Sequence, residues 1–178
     1  LSEGALDAGI LATPIETRGF DEIILYTEPF YVAINKKHPL ASKKKINKKD
    51  LQGETILLLE EGHCLRGQAL DVCSDNMTKE RKDFKGTSLE TIRHMVAAGI
   101  GITLIPQTAI DYKNLMKNSS IVYLPFEEPA PARRVGLLSR VTSSRKICFQ
   151  KLANSIQYIT NKEFPINNSV DVLSVRKN

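Results

Sequence analysis

Two of the three cysteines, Cys64 and Cys73, stand nine positions apart in the stretch EEGHCLRGQALDVC, residues 60–73. Sulfur does chemistry as the thiolate, the form that attacks electrophiles and binds metals. Cys64 follows Gly62 and His63 where the pattern predicts a helix to begin. There, backbone N–H groups without helical partners and the positive end of the dipole favour a negative sulfur. His63 and Arg66 can add donors or positive charge, and Arg66 can equally pair with Glu60 or Glu61. Three readings compete. Two cysteines can pack as small apolar residues. His63, Cys64 and Cys73 can hold a metal, though no CxxC pair or fourth ligand stands near. Or Cys64 is a reactive thiol.

The elements that must carry these residues alternate along the chain. Short strands are predicted over Ala8–Ala12, Phe30–Ile34 and Thr55–Leu59, with a short helix over Asn47–Leu51. A helix over Leu65–Ser74 bears the cysteine segment. DFKGTSLETIRHMVAAGIGITLIP reads as strand, helix, glycine turn and strand, with a capping-box pattern at Thr87 and Glu90. Leu89, Ile92, Met95 and Val96 recur at helical spacing, Gly99 and Gly101 end that helix, and Ile102–Ile105 is a strand stopped by Pro106. VYLPF and RVGLLSR add strands, and SSRKICFQKLANSIQYITN is an amphipathic helix. In it Cys148, beside Ile147 and Phe149, reads as packing. His38 reads as loop structure and His94 as a helix-surface or interface residue. The polar stretch from Glu163 onward reads as a frayed tail. Strands alternating with helices predict an α/β fold with a largely parallel sheet.

At 178 residues, 42% hydrophobic and 25% charged, the chain has the balance of a globular protein of one or two domains. No run nears the roughly 18 apolar residues of a membrane span. LSEGALDAGI carries neither the basic nor the apolar region of a leader. With only three cysteines, the expectation is a cytoplasmic protein without a disulfide framework. The net charge of +5 is local: residues 36–49 hold seven lysines and no acid, and without them 18 basic residues face 20 acidic ones. That run reads as a solvated loop, since no aromatics interleave it. GxGxxG and Walker sequences are absent, so nucleotide binding has no support.

Ordered blocks then resemble a known family: LDAGI, EPFYVAINKKHPLA, GTSLETIRHMVAAGIGITLIP and RRVGLLSR are similar to the effector-binding domain of LysR-type transcriptional regulators. MVAAGIGITLIP is a marker shared by members that sense unrelated ligands. GHCLRGQALDVC resembles, in order and spacing, the redox loop of the family's peroxide-sensing members. The resemblance covers roughly residues 1–160. It implies two Rossmann-like subdomains linked by two crossovers, in the manner of periplasmic binding proteins. Residues 1–27 and 135–164 would form subdomain I, with its N-terminal part missing. Residues 28–134 would form subdomain II with the redox loop 60–76, and residues 165–178 a flexible tail. The family's winged helix-turn-helix, and the first strand, helix and strand of the effector domain, would lie outside this chain.

By the same resemblance Cys64 is the thiol that attacks peroxide and Cys73 the one that resolves it. Gly62, His63, Arg66 and Gln68 would support the thiolate or the peroxide. Thr13, Thr87 and Ser88 would face an effector cleft, where a small anionic metabolite is the alternative ligand. Relatives can carry a histidine before the residue matched by Phe84; here Asp83 stands there. Implied partners are hydrogen peroxide, a second copy in a dimer or tetramer, and a thiol reductant such as glutaredoxin or thioredoxin. Promoter DNA and RNA polymerase would be met only through the full-length protein. No cofactor, metal, membrane or enzymatic turnover is implied. The spacing adds a constraint. Along one continuous helix nine residues rise about 13.5 Å and turn about 900°, onto opposite faces. A disulfide needs Cα atoms within about 7 Å. So the bond requires the helix to unwind.

Overall fold

The longest strand, Phe20–Asn35, is the spine of the molecule. The computed structural model describes residues 1–13, 18–60, 64–73, 79–80, 86–110, 120–163 and 170–172. Its strands are β1 (Ala8–Thr13), β2 (Phe20–Asn35), β3 (Thr55–Ile56), β4 (Lys79–Glu80), β5 (Thr103–Pro106), β6 (Ile121–Pro125), β7 (Ala130–Arg140) and β8 (Val170–Val172). The α-helices are α1 (Cys64–Cys73), α2 (Leu89–Ala97) and α3 (Lys146–Glu163). The α/β class stands.

The largely parallel sheet does not. β7 pairs antiparallel with β1 and with the first part of β2, and the last part of β2 pairs antiparallel with β5 and β6. Among the described residues, parallel pairing is confined to β3 with β4, to β7 with β8, and to the bridges Ile46–Phe126, Ile56–Ile102 and Leu59–Gly86. The cause is the unexpected length of β2, which begins at Phe20 rather than Phe30. Its register slips between Ile24 and Tyr26, so the inside–outside alternation breaks there. Pro29, which offers no ladder N–H, falls where β2 changes partners.

Beyond Pro29 both faces of β2 are covered. Phe30, Val32 and Ile34 join one core cluster with Ile56, Leu104, Phe126 and residues of α1. Ala33 joins a second with Leu57, Ile105, Ile121 and, from α2, Ile92 and Val96. Successive side chains of a strand point to opposite faces, so a continuous apolar run suits a strand sandwiched between helices. A third, smaller cluster lies under α3: Leu25, Leu137, Phe149 and Ala153.

Local differences have local causes. α2 is capped by Ser88, whose Oγ accepts from the Thr91 backbone N–H at 3.2 Å, so the Thr87–Glu90 capping box is not the one formed. Gly99, at φ +76°, closes that helix. Gly101 has no room for a side chain, because a Cβ would lie 2.6 Å from the Thr55 carbonyl oxygen. The predicted helix at Asn47–Leu51 is a 3-10 turn, Lys48–Leu51, with a true capping box between Asn47 and Asp50. Burial pushes the Asp50 carboxyl up, but hydrogen bonds from Lys43 and the Asn47 backbone, with the Lys43 charge, hold it below its ordinary value. Cys148 is exposed, not packed. Phe149, Ala153 and Ile156 turn the inner face of α3 to the sheet, and Cys148 falls one position off it. In the expected flexible tail, Val170–Val172 pairs with Ala130–Ala132 of β7.

Candidate functional site

Helix α1 begins at Cys64 and ends at Cys73, so the two sulfur-bearing residues occupy opposite ends of one unbroken helix. At about 1.5 Å per residue their Cα atoms are about 13.5 Å apart, roughly twice the reach of a disulfide. The inner face of the helix is Ala69, Val72 and Cys73, packed into the cluster of Phe30, Ile56, Leu58, Phe126 and Ala130. Cys73 carries its thiol there only 3% exposed.

Gln68, four residues after Cys64 and therefore on the same face of the helix, is also buried. Its side-chain oxygen, Oε1, accepts no hydrogen bond. A buried acceptor without a donor costs about 1–3 kcal/mol, and natural structures keep few of them. Arg66 turns back across the helix start and donates from Nη1 to the Leu59 carbonyl at 3.3 Å. Leu59 is itself bridged to Gly86, just before the turn into α2. Gly67 is exposed, and a Cβ added to it would meet nothing within 4 Å. Gly62, His63 and Asp83 lie outside the described residues.

The three residues expected at an effector cleft are placed differently from one another. Thr13 ends β1, opposite Arg134 of β7; it is fully buried, and its hydroxyl has no partner. Thr87 and Ser88 are exposed at the start of α2, and the Ser88 hydroxyl is used for capping. His38 caps the 3-10 turn Pro39–Ser42 by accepting from the Leu40 N–H through Nδ1, and its Nε2 lies 3.2 Å from Glu54. His94 is exposed on α2, 3.6 Å from Glu90.

One polar cluster escaped the sequence reading. Glu28 of β2 is fully buried. Its Oε1 accepts from Nε and Nη2 of Arg133, both at 2.8 Å. Its Oε2 accepts from the backbone N–H and the hydroxyl of Thr108, at 2.8 and 2.7 Å. A buried carboxylate is tolerable only when charged and neutral donors satisfy it in this way. Burial raises the pKa of the nearby Tyr26 hydroxyl; the Glu28 charge adds to this and Arg133 opposes it. The signal available was an acid inside the apolar run YTEPFYVAI, matched by an arginine in ARRVGLL.

The LysR substrate binding domain matches residues 1–157. The chain belongs to the LysR substrate-binding domain family. Within that family it is similar to the DNA-binding transcriptional dual regulator OxyR of Escherichia coli K12, 43% identical over 157 residues. The match takes in 88% of this chain and 51% of that protein, so the chain spans about half the length of this curated relative. The crystal structure of the reduced form of OxyR superposes with a TM-score of 0.81 at 40% identity, covering 92% of this chain and 75% of the other. The oxidised form of OxyR gives 0.80 at 42% identity, covering 92% and 76%. The LysR fold is thus confirmed, and the relatives named are transcriptional regulators.

Proposed function

We propose that this chain is the peroxide-sensing regulatory domain of a LysR-type transcription factor, with Cys64 the attacking thiol and Cys73 the resolving one. The observation that carries the reading is α1 itself, a helix that separates two thiols and buries the second in the core. The Cys64 thiolate attacks one peroxide oxygen; the O–O bond breaks, and one proton taken up yields Cys64 sulfenic acid and water. The Cys73 thiol then displaces that hydroxyl as a second water, forming the S–S bond. The net loss from the protein is two hydrogens. Because the bond cannot span an intact α1, the helix unwinds and Val72 and Cys73 leave the core. For Val72 alone that forfeits about 1.5–3 kcal/mol of burial. A bond-forming event becomes a change of shape, the form of switch that regulators use.

Residues 1–27 with 135–164, and residues 28–134, serve as the two subdomains. Gly62, His63 and Arg66 support the thiolate, and the orphaned Oε1 of Gln68 is suited to accept a hydrogen bond from peroxide or from the sulfenic acid. The domain works as a cytoplasmic dimer or tetramer, is reset by a glutaredoxin- or thioredoxin-type reductant, and acts on promoter DNA and RNA polymerase through the rest of the protein. It is a sensor, not a turnover enzyme.

The reading is tested by intact and peptide mass measurement before and after one equivalent of peroxide. Loss of two hydrogens mapped to the peptides of Cys64 and Cys73 is expected; a stable sulfenic or sulfinic acid with Cys73 still a thiol would refute it. Gln68→Leu should separate chemistry from stability. Removing an unsatisfied buried acceptor leaves the reduced fold as stable or up to about 1 kcal/mol more so in urea titration, while the stopped-flow rate of peroxide consumption falls.

The orphaned hydroxyl of Thr13 favours a second reading, a small anion held by Thr13, Thr87 and Ser88 with the cysteines incidental. Calorimetric binding of an anionic metabolite, with no thiol oxidation at one equivalent of peroxide, would support it instead.

A further inference from the structure

Strand β2 changes partners in mid-course. Phe20–Pro29 ladders with β7, whereas Phe30–Ala33 ladders with β5 and Tyr31–Asn35 with β6. Glu28 sits at this handover. Both its oxygens are fully engaged, and the groups engaging them come from distant parts of the chain. Arg133 belongs to β7, three residues after Ala130, which packs in the cluster that holds Cys73. Thr108 belongs to the 3-10 turn Gln107–Ala109 that follows β5. That turn is gripped from its other side by Arg93 of α2, which donates to the Ala109 carbonyl. Phe30, two residues beyond Glu28 and so on the same face of β2, packs in the Cys73 cluster. Phe30, against which the redox helix's cluster packs, and the buried carboxylate are therefore neighbours on one strand.

We propose that Glu28 is the positioning residue through which remodelling of α1 is transmitted across the handover to the half of the fold that carries β1 and α3. The inference rests on the redox reading given above. When Cys73 leaves its cluster, Phe30 and Ala130 lose packing partners on the two strands that cross the handover. Slack in β2 or β7 would absorb that change locally. The four hydrogen bonds on Glu28 remove the slack: they tie β2, β7 and the Thr108 turn at one point, so a shift of either strand moves the other. Beyond the pin the same strands form the floor on which α3 packs through Leu25 and Leu137.

Glu28→Gln has the same shape but cannot make the same bonds. A carboxylate accepts at both oxygens, whereas the amide presents one acceptor and one NH2 donor. Whichever way it is turned, that NH2 faces the donors of Arg133 or those of Thr108. The test is hydrogen–deuterium exchange of the full chain, reduced and after one equivalent of peroxide, with disulfide formation followed by mass. In the parent protein, oxidation should change exchange in α1 and also in β1 and α3. In Glu28→Gln the disulfide should form to the same extent and the α1 change should persist, while the oxidation-dependent difference in β1 and α3 is lost. Thr108→Val, which removes only one of the four bonds, should show a partial loss and covers the case in which Glu28→Gln does not fold. A merely structural role would raise exchange equally in both redox states and leave that difference intact; this would overturn the proposal. So would a parent protein whose oxidation changes α1 alone. If no disulfide forms in the parent, the redox reading fails and this inference with it.

Discussion

Cys64→Ser will abolish the peroxide-dependent loss of two hydrogens altogether, because a serine hydroxyl is neither ionised near neutral pH nor able to form an S–S bond. Cys73→Ser is expected to behave differently. Its Cys64 still attacks, so one oxygen atom is gained and a sulfenic acid accumulates, open to further oxidation because no thiol resolves it. The pair of variants, read by mass after stoichiometric peroxide, assigns attack and resolution separately. An unchanged two-hydrogen loss in Cys64→Ser would mean that another sulfur, such as the exposed Cys148, had reacted with Cys73. On the proposed redox reading, the same Cys64→Ser substitution carried in a full-length protein should also eliminate peroxide-dependent transcription.

Phe30→Ala will be the most damaging substitution in the core. Phe30 is fully buried at the point where α1, β2 and the Phe126 segment meet, and it touches the cluster that shelters Cys73. Truncating a buried phenylalanine costs about 3–5 kcal/mol, against a total stability that is typically about 5–15 kcal/mol. Urea denaturation of the reduced protein should show a midpoint lowered by about a fifth or more of its parent value, with an unchanged slope. A loss under about 1 kcal/mol would show that the site collapses freely around the gap and that the cluster is not tightly packed. Phe149→Ala on α3, in a cluster of four buried residues among those described, should fall at the low end of the same range.

How far the sequence could be read depended on which physical signal each element leaves. α1 was legible to within a residue because sharp punctuation brackets it, Gly62 before and Ser74 after. α2 was legible from its apolar spacing, but its cap was misplaced by one. Thr87 and Ser88 are both competent caps, and only backbone geometry selects Ser88. The first part of β2 was illegible for two reasons. Asp21, Glu22 and Glu28 give it a loop-like composition, and the register slip after Ile24 destroys the two-residue alternation that would have marked a strand. Missing that stretch also hid its antiparallel ladder with β7, and hence the direction of the sheet. Glu28 is marked in the sequence only by an acid within an apolar run, and its meaning lies in partners 80 and 105 residues away. Cys148 was misjudged because adjacent helix residues cannot all face inward, and the sequence does not mark which of Ile147, Cys148 and Phe149 does.

Gly67 leaves one more consequence. It sits mid-helix at an exposed position with empty space around its missing side chain, so neither crowding nor a left-handed backbone requires it. Glycine there weakens the helix by about 0.5–1 kcal/mol relative to alanine, which corresponds to roughly a two- to fivefold bias in the balance between wound and unwound segment. That bias touches neither the reacting sulfur nor the core. On the proposed redox reading, the set point is thereby separated from the chemistry: the dose at which the switch trips can drift over generations through a single solvent-facing residue, while the reaction that trips it stays the same.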